Sequence, residues 1–591
     1  MYPRIGIRPV IDGRRFGVRE SLEEKTAAMA RAAKELISEN CCYPDGKPVE
    51  CVITPFTIGC GAEAARAEEY FSDLNVTATL TVSACRAFVA ETMDHDPISV
   101  KAVWGFNSTK LPGGLYLAAA VSAYASSGLP VFPICAADVQ DADDMSIPPD
   151  VSEKLLRFAR CAVAVGWMRS KTYVGLGAYS EGIGGSYSNA LFMQKYLGIR
   201  PEWVDMTEIL RRIHLDIYDR DEYEKALDWT HRNCPVGMNA NTDKSNPGNK
   251  KLMTLDEQWE FCVKMTLIVR DIMLGSEKLR ELGWEEEAEG KNAVFGGFGG
   301  QRMWSDWLPN GEFTGSILNT SFDWNGKKQP FILSPGNDCL NGTEMLFGSL
   351  LSSTASVSAD MRIYWSPEAF ERVTGEKPDV MTENGFLHLL SAGSAALDGS
   401  GLACDEEGTG MMKRWWELDG NDINTILRRT DWCPVNLMQN RGGGFSSHFR
   451  VEAEMPVTLI GLSITDGIGP VIRIAQGYTV ILPDDIHHIL TDKTDRTHPT
   501  TWFVPELIPG RKAFGSVRSV ISNWGSDRCA YTYGHIGRDV ITLASMLRIP
   551  VALHNVPEED IFRPHSWLSF GADSSEDADF RACAYYGPLY G

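Results

Sequence analysis

Short apolar runs alternate with amphipathic, helix-favouring segments up to the stretch Phe331–Trp365, and this alternation limits the fold more than any other feature. Ile5–Ile11 predicts a strand, Glu20–Ile37 an amphipathic helix, and Val131–Cys135 a strand that precedes a helix over Val151–Val165. Strands that are joined through helices pair in parallel, with helices on both faces of the sheet. The sequence therefore predicts doubly wound α/β layers.

The pattern resumes at Tyr173–Leu176 and changes from about residue 355. Beyond that point short apolar runs are separated by Gly, Asp and Pro: Val457–Leu462, Val471–Ala475, Tyr478–Leu482, Val517–Ser522 and Tyr531–Tyr533. Short strands at regular spacing predict an antiparallel, barrel-like domain. We therefore predict three domains: an N-terminal α/β domain over 1–171, a second α/β domain over 172–352 and a β-rich domain over 353–591.

Composition excludes some classes of function. The 591 residues carry a formal net charge of −22, which argues against binding to nucleic acid. No apolar run approaches the length of a membrane span, so no membrane contact is expected. The 14 cysteines are scattered without a Cys-x-x-Cys pair, which is typical of free thiols in a reducing compartment. We expect a cytoplasmic protein.

Phe331–Trp365 is the first candidate for a functional site. The apolar run Phe331–Leu333 stops at Ser-Pro-Gly, and α/β enzymes place ligands just beyond the end of such a strand. Asp360 is a carboxylate among small residues, which favours a functional role. The alternative is that Asp360 caps an element or pairs with Arg362.

Several strings resemble the bacterial L-fucose isomerase family, and the resemblance runs nearly end to end. Within the candidate stretch they are Asn337-Asp338, Leu340-Asn341-Gly342 and Ala359-Asp360, followed by Tyr364-Trp365-Ser366-Pro367-Glu368-Ala369. Elsewhere they include Ile5–Arg15, Asp138–Asp144, Ser321–Gly326, Gly393–Ser400 and Leu543–Pro550. The resemblance implies two α/β domains followed by a β-barrel-like C-terminal domain, and assembly into a hexamer.

The resemblance also implies a metal site, and here the chain departs from the family. The family holds a divalent metal, typically manganese, through a Glu, an Asp and a His. The corresponding positions are Gly336, Asp360 and Arg528. An Arg repels a cation and a Gly offers no donor. We therefore expect no metal ligand here other than Asp360, and no cofactor.

Further sugar-contact positions of the family are changed. Arg86 stands where the family has a stacking Trp supplied to the neighbouring subunit, Gln439 replaces a Tyr, and His498 replaces a Trp. Glu181 replaces a Met in a Gly-rich loop, and Asp527 replaces an Asn. The predicted substrate-binding residues are Arg528, Gln301, Gln439, His498, Asn523, Trp524 and Arg86.

Three carboxylates suggest a chemistry of their own. Asp360, Asp527 and Glu181 should line one pocket if the fold is that of the family, and a pair of carboxylates flanking a sugar is the machinery of glycoside hydrolysis. Arg528 could bind an anionic group or keep a neighbouring carboxylate ionised. The alternative for Asp527 and Arg528 is a structural salt bridge, and for Glu181 an exposed loop residue.

The hypothesis favoured by these substitutions is a metal-independent glycoside hydrolase acting on a monosaccharide or glycoside. Two alternatives stay open. The first is an aldose–ketose isomerase of the L-fucose/D-arabinose type that uses Mn²⁺, although the family's base position is Gly336. The second is a sugar-binding homologue without catalytic activity.

Overall fold

Three main β-sheets follow one another along the chain in the computed structural model, which describes residues 2–144, 146–187, 191–242, 253–400, 403–404, 410–571 and 575–591. The first two sheets are parallel, and the third is mainly antiparallel. Their strands lie within residues 4–134, 172–335 and 357–553. The predicted α/β class is confirmed, and the domain boundaries 1–171, 172–352 and 353–591 stay predictions.

The first sheet is doubly wound. Its elements are β1 (Arg4–Pro9), α1 (Val18–Asn40), β2 (Cys51–Ile53), α2 (Gly61–Ser72), β3 (Val76–Ser83), α3 (Val89–Thr92), β4 (Val100–Gly105), α4 (Gly113–Ser126), β5 (Phe132–Ile134) and α5 (Pro149–Met168). The strand order is β2-β1-β3-β4-β5. Helices α1 and α5 contribute to the core on one face, and α2 and α4 to the core on the other. Helix α1 forms because buried Met29, Ala33 and Ile37 recur at helical spacing.

The second sheet repeats this plan in the order β11-β8-β6-β7. Its region contains β6 (Thr172–Leu176), β7 (Arg200–Val204), α6 (Thr207–His214), α7 (Arg220–Asn233), α8 (Leu255–Leu274), α9 (Glu277–Glu281), α10 (Glu285–Ala288), β8 (Ala293–Phe298), α11 (Glu312–Asn319), β9 (Phe322–Asp323), β10 (Gly326–Lys327), β11 (Ile332–Pro335) and α12 (Cys339–Ser352). Because all four strands of the sheet are parallel, their carboxyl ends share one edge.

In the third region, a series of paired strands returns to its first strand. Its elements are β12 (Val357–Trp365), α13 (Pro367–Thr374), β13 (Phe386–Leu390), β14 (Ala403–Cys404), β15 (Gly410–Met411), α14 (Gly420–Arg428), β16 (Asp431–Pro434), β17 (Phe445–His448), β18 (Pro456–Thr465), β19 (Gly469–Val480), α15 (Asp484–Asp492), β20 (Thr500–Pro505), α16 (Val517–Trp524), β21 (Arg528–Tyr533), α17 (Gly537–Leu547), β22 (Val551–Leu553) and α18 (Ser575–Tyr586). The pairings run β18-β21-β12-β13-β20-β19 and return to β18. The six strands therefore form a closed circuit of pairings.

Two predictions for this region are wrong in detail. Val517–Ser522 is part of helix α16, because Val517, Val520 and Trp524 are buried at helical spacing and the Ser516 hydroxyl accepts a hydrogen bond from the Ser519 amide. The two runs predicted between residues 471 and 482 form the single strand β19 instead. None of the described helices is both long enough and apolar enough to cross a membrane.

Candidate active site

A cavity of about 140 Å³ opens at the carboxyl ends of β8 and β11, where the second and third regions meet. An edge formed by carboxyl ends of parallel strands is where α/β proteins bind ligands. The residues that line the cavity are Ile183, Phe298, Gly300, Gln301, Asn310, Gly311, Glu312, Leu333, Ser334, Pro335, Gly336, Ala392, Gly393, Ser394, Asn440 and Arg528. The stretch chosen from the sequence therefore supplies one wall of a cavity.

The turn between β11 and α12 forms that wall. Gly336 and Asn337 both adopt positive φ angles, 64° and 51°. The Asp338 carboxylate accepts hydrogen bonds from the amides of Leu340 and Asn341 and so caps α12. Asn337 Oδ1 accepts a hydrogen bond of 2.5 Å from the Tyr173 hydroxyl, which ties the turn to β6.

Arg528 reaches this turn from the third region. It begins β21 and lies opposite Asp360 of β12 in the antiparallel register. Its Nη1 donates to the Pro335 carbonyl at 2.8 Å and lies 3.7 Å from Asp338 Oδ2, and its Nε lies 3.3 Å from Asp360 Oδ1. The Arg528 side chain is 11% exposed. Its guanidinium is therefore held at the cavity by groups on three sides.

The three carboxylates predicted to converge do so only in part. Burial raises the pKa of Asp360, the Arg528 charge opposes that rise, and the charge of Asp527 adds to it. Asp527 itself is exposed, and its backbone carbonyl accepts a hydrogen bond from the Met361 amide. Glu181 lies in an exposed loop, 3.9 Å from Arg302, and both side chains are 68% exposed. A shared catalytic role for the three stays a prediction.

The remaining predicted residues fall in different places. Gln301 lines the cavity, and Gln439 is an exposed neighbour of Asn440, which also lines it. Asn523 is exposed and donates its side-chain amide to the Ser519 carbonyl at 2.7 Å. Arg86 is exposed just beyond the end of β3.

Trp524 lies in the core of the third region rather than on its surface. Its side chain is 1% exposed, and its indole N–H donates to the Arg528 carbonyl at 3.0 Å. This contact steadies the backbone that carries Arg528. A role for Trp524 in contacting substrate stays a prediction.

His498 is clamped between two carboxylates. Its Nδ1 lies 3.1 Å from Asp495 Oδ1, and its Nε2 lies 3.3 Å from Glu312 Oε2. Burial lowers the pKa of His498, but Glu312 and Asp495 outweigh burial and raise it to about 10. The imidazole is therefore protonated at neutral pH.

Sequence reasoning found His498 but missed Glu312, Asp495 and Ser446. The Ser446 hydroxyl donates to Glu312 Oε2, and the Thr497 hydroxyl donates to Asp495 at 2.8 Å. Asn310-Gly311-Glu312 marks the start of a helix, and that signal was available in the sequence. The pairing with His498 joins residues far apart in the chain, and only the fold reveals it.

The residues at the family's metal-ligand positions do not fit a divalent ion. Gly336 offers no side chain, and a Cβ there would lie 2.3 Å from Cδ1 of Ile183. Arg528 brings its own positive charge to Asp360. Within the described part of the chain, no three His, Cys, Asp or Glu side chains form a group that could hold a metal. Hard divalent cations need several oxygen or imidazole donors, and of these three positions only Asp360 supplies one.

Comparisons with known proteins cover the whole chain. Three family models match it: L-fucose isomerase, first N-terminal domain, over residues 2–170; second N-terminal domain, over 171–353; and C-terminal domain, over 389–554. An L-fucose isomerase of Clostridium perfringens (strain 13 / Type A) is 52% identical over 592 residues, covering 100% of this chain and 99% of the relative. An L-fucose isomerase of Streptococcus pneumoniae serotype 2 is 52% identical over 589 residues, with the same coverage.

These findings confirm the resemblance and the fold and correct two other predictions. The glycoside hydrolase hypothesis is wrong, because the relatives and the family models all name isomerases. The expectation that no cofactor is used is also contradicted, because L-fucose isomerases are Mn²⁺-dependent enzymes. The open question is which donors would hold such an ion, since two of the family's three ligand positions carry Gly and Arg.

Proposed function

Because the chain belongs to the L-fucose isomerase family, we propose that it is an aldose–ketose isomerase acting on L-fucose or on an aldose of similar stereochemistry such as D-arabinose. The observation that carries this proposal is 52% identity to an L-fucose isomerase over 100% of the chain. Fold alone would not be enough, since one fold hosts many functions. Here the identity extends over the full length of the chain, and all three family domains are matched.

The size of the cavity supports a small substrate. About 140 Å³ is well below the roughly 300–1,000 Å³ of sites for drug-sized ligands. The walls offer amide groups from Gln301, Asn310 and Asn440, which suit the hydroxyl groups of a sugar. One monosaccharide is the substrate class that we propose.

Arg528 provides a fixed positive charge in this cavity. Isomerisation moves a hydrogen between C1 and C2 and passes through an enediolate, so a cation beside the carbonyl oxygen stabilises the charge that develops. Arg528 is already oriented by the Pro335 carbonyl, Asp338 and Asp360. A guanidinium held in advance need not reorganise during the reaction.

The experiment is to incubate purified protein with L-fucose or D-arabinose and follow the formation of ketose by NMR. Each sugar is tested with and without added MnCl₂, and D-fucose, the mirror image of L-fucose, is the control. We expect ketose from at least one of the two sugars and none from D-fucose. Saturable binding of L-fucose with no ketose under any condition would contradict the proposal and identify a sugar-binding protein.

We also propose that the chain assembles with copies of itself, as a hexamer, in the cytoplasm. The proposal is supported by the family resemblance, which implies that Arg86 reaches a neighbour's sugar site, and by the exposure of Arg86 in the single chain. Thirteen cysteines are free thiols, which suits a reducing compartment. Light scattering tests the assembly, and a mass near the 65.3 kDa of one chain would contradict it.

A further inference from the structure

Among the described residues that line the cavity, Glu312 is the only carboxylate and Arg528 the only cation. The family's base position is Gly336, which has no side chain to accept a proton. Asp360 faces Arg528 at 3.3 Å but is not one of the lining residues. Among the described lining residues, Glu312 is therefore the one acidic side chain that can reach a substrate in the cavity.

Both the backbone and the side chain of Glu312 are held in place. It is the first residue of α11, so its backbone is fixed by the helix, and its side chain is 18% exposed. The Ser446 hydroxyl and His498 Nε2 both bind Oε2. Oε1 is not engaged by these two contacts.

A chain of contacts holds this carboxylate in place. His498 carries a proton between Glu312 and Asp495, and Asp495 is held in turn by the amide and hydroxyl of Thr497. The three ionised groups sum to a charge of −1. A carboxylate held by a neighbouring imidazolium and a hydroxyl is fixed in orientation, as a general base must be.

We propose that Glu312 is the catalytic residue that transfers the proton in this cavity, with His498 as its positioning residue. This inference rests on the proposed isomerase function and names the group that performs it. Glu312 removes the proton from C2 of the open-chain aldose. The C2–H electron pair forms the C1=C2 bond, and the carbonyl pair moves onto O1, beside Arg528.

The second half of the reaction restores the protein. Glu312 returns its proton to C1, the C1=C2 bond becomes C1–H, and the O2–H proton passes to O1 as C2=O forms. C1 is reduced and C2 is oxidised within one molecule, so no external oxidant or reductant is needed. The carboxylate ends ionised, as it began.

The test compares Glu312→Gln with the parent and with the control Glu281→Gln. Glu281 is an exposed residue at the end of α9 and does not line the cavity. We expect Glu312→Gln to lower kcat by about 100-fold or more, as loss of an acid–base group typically does, with KM nearly unchanged. It should also lose deuterium exchange at the sugar's C2 in D₂O. Glu281→Gln should match the parent.

A second variant keeps the proposal testable if Glu312→Gln does not fold. Glu312→Ala leaves space beside His498, and added formate should restore part of its kcat, which a purely structural role would not allow. His498→Gln should lower kcat with little change in KM. If the parent isomerises a sugar and Glu312→Gln keeps the parent's kcat, the proposal for Glu312 is overturned while the isomerase function stands. If the parent isomerises no sugar, the function itself fails.

Discussion

Two cavities lie at opposite edges of the parallel sheets. They differ in size and in whether their charged side chains are paired with one another or face the space of the cavity. The larger, about 520 Å³, is lined largely by residues at the amino ends of strands, such as Thr77, Ser99, Lys171 and Asn292. The smaller, about 140 Å³, lies at the carboxyl ends. Volume alone would favour the larger cavity as the active site, whereas the direction of the parallel strands favours the smaller one.

The charges explain why strand direction is the better guide. The larger cavity is lined by Asp94 and Arg8, which lie 3.8 Å apart, and Asp94 also lies 4.0 Å from Lys101, which is not a lining residue; all three side chains are at most 3% exposed. The single carboxylate of Asp94 is shared by the two cations, and these buried contacts stabilise the fold. In the smaller cavity Glu312 and Arg528 both face the space that a substrate would fill. The following four predictions test this contrast.

The largest effect is expected at the larger cavity. Asp94→Asn would leave Arg8 and Lys101 buried without their carboxylate, and breaking a buried ion pair costs about 3–5 kcal/mol. Urea unfolding followed by circular dichroism measures the loss. Asp73→Asn, at the exposed end of α2, is the control and should not change stability. A stability equal to that of the parent would contradict a structural role for this network.

The second prediction compares the two arginines. Arg528→Met should lower kcat/KM by about 100- to 1,000-fold, the usual cost of removing a group that stabilises a developing oxyanion. Arg8→Met should leave kcat/KM unchanged below its unfolding temperature, although it is destabilised. Steady-state kinetics measures kcat/KM for both variants and for the parent. Equal losses of kcat/KM in the two would remove the distinction between the cavities.

The third prediction concerns stability against pH. The pKa of His498 is raised from its ordinary 6.5 to about 10, so its contribution is fully present below pH 6.5 and is lost as pH rises towards 10. The groups around it are Glu312 from α11, Asp495 from its own loop, His448 from β17 and Asp360 from β12.

We expect a loss of stability as pH rises from 6.5 to 10. It is measured as the difference between the parent and His498→Gln in urea unfolding at several pH values. The two curves should converge as pH rises. Curves that stay parallel across this window would show that His498 is not charged in the folded protein.

The smallest effect concerns manganese at the carboxyl-end cavity. Gly336→Glu combined with Arg528→His would restore the family's donor set around Asp360, and we expect Mn²⁺ to bind at least about tenfold more tightly, about 1.4 kcal/mol. Part of the gain is offset, because a side chain at a φ of 64° costs about 1–2 kcal/mol, and Ile183 must turn aside.

The control for that variant is Gly336→Gln with Arg528→His, which lacks the new carboxylate. Isothermal titration with MnCl₂ compares the three proteins. If the parent binds Mn²⁺ as tightly as the restored variant, then donors outside these three positions hold the ion. That outcome would redirect the search for the cofactor site without changing the contrast between the cavities.

Local sequence determined much of the fold. The strands around Ile5–Ile11 and Phe331–Leu333 and the helices around Glu20–Ile37 and Val151–Val165 were predictable, because short continuous apolar runs and apolar residues at a period of 3.6 are visible in the chain. Val517–Ser522 was mispredicted since a short β-branched run fits either structure. Its helix is decided by which side chains the neighbouring strands bury.

The site depended on tertiary structure to a greater degree. Sequence strings identified the family and drew attention to Asp360 and Arg528, which the antiparallel register of β12 and β21 does bring together. The fold alone decided that Glu181 would be exposed to solvent and that Glu312, which lines the cavity, would lie 3.3 Å from His498. The physical reason is that the charge environment of a side chain depends on groups that approach through space, and these groups come from distant parts of the chain.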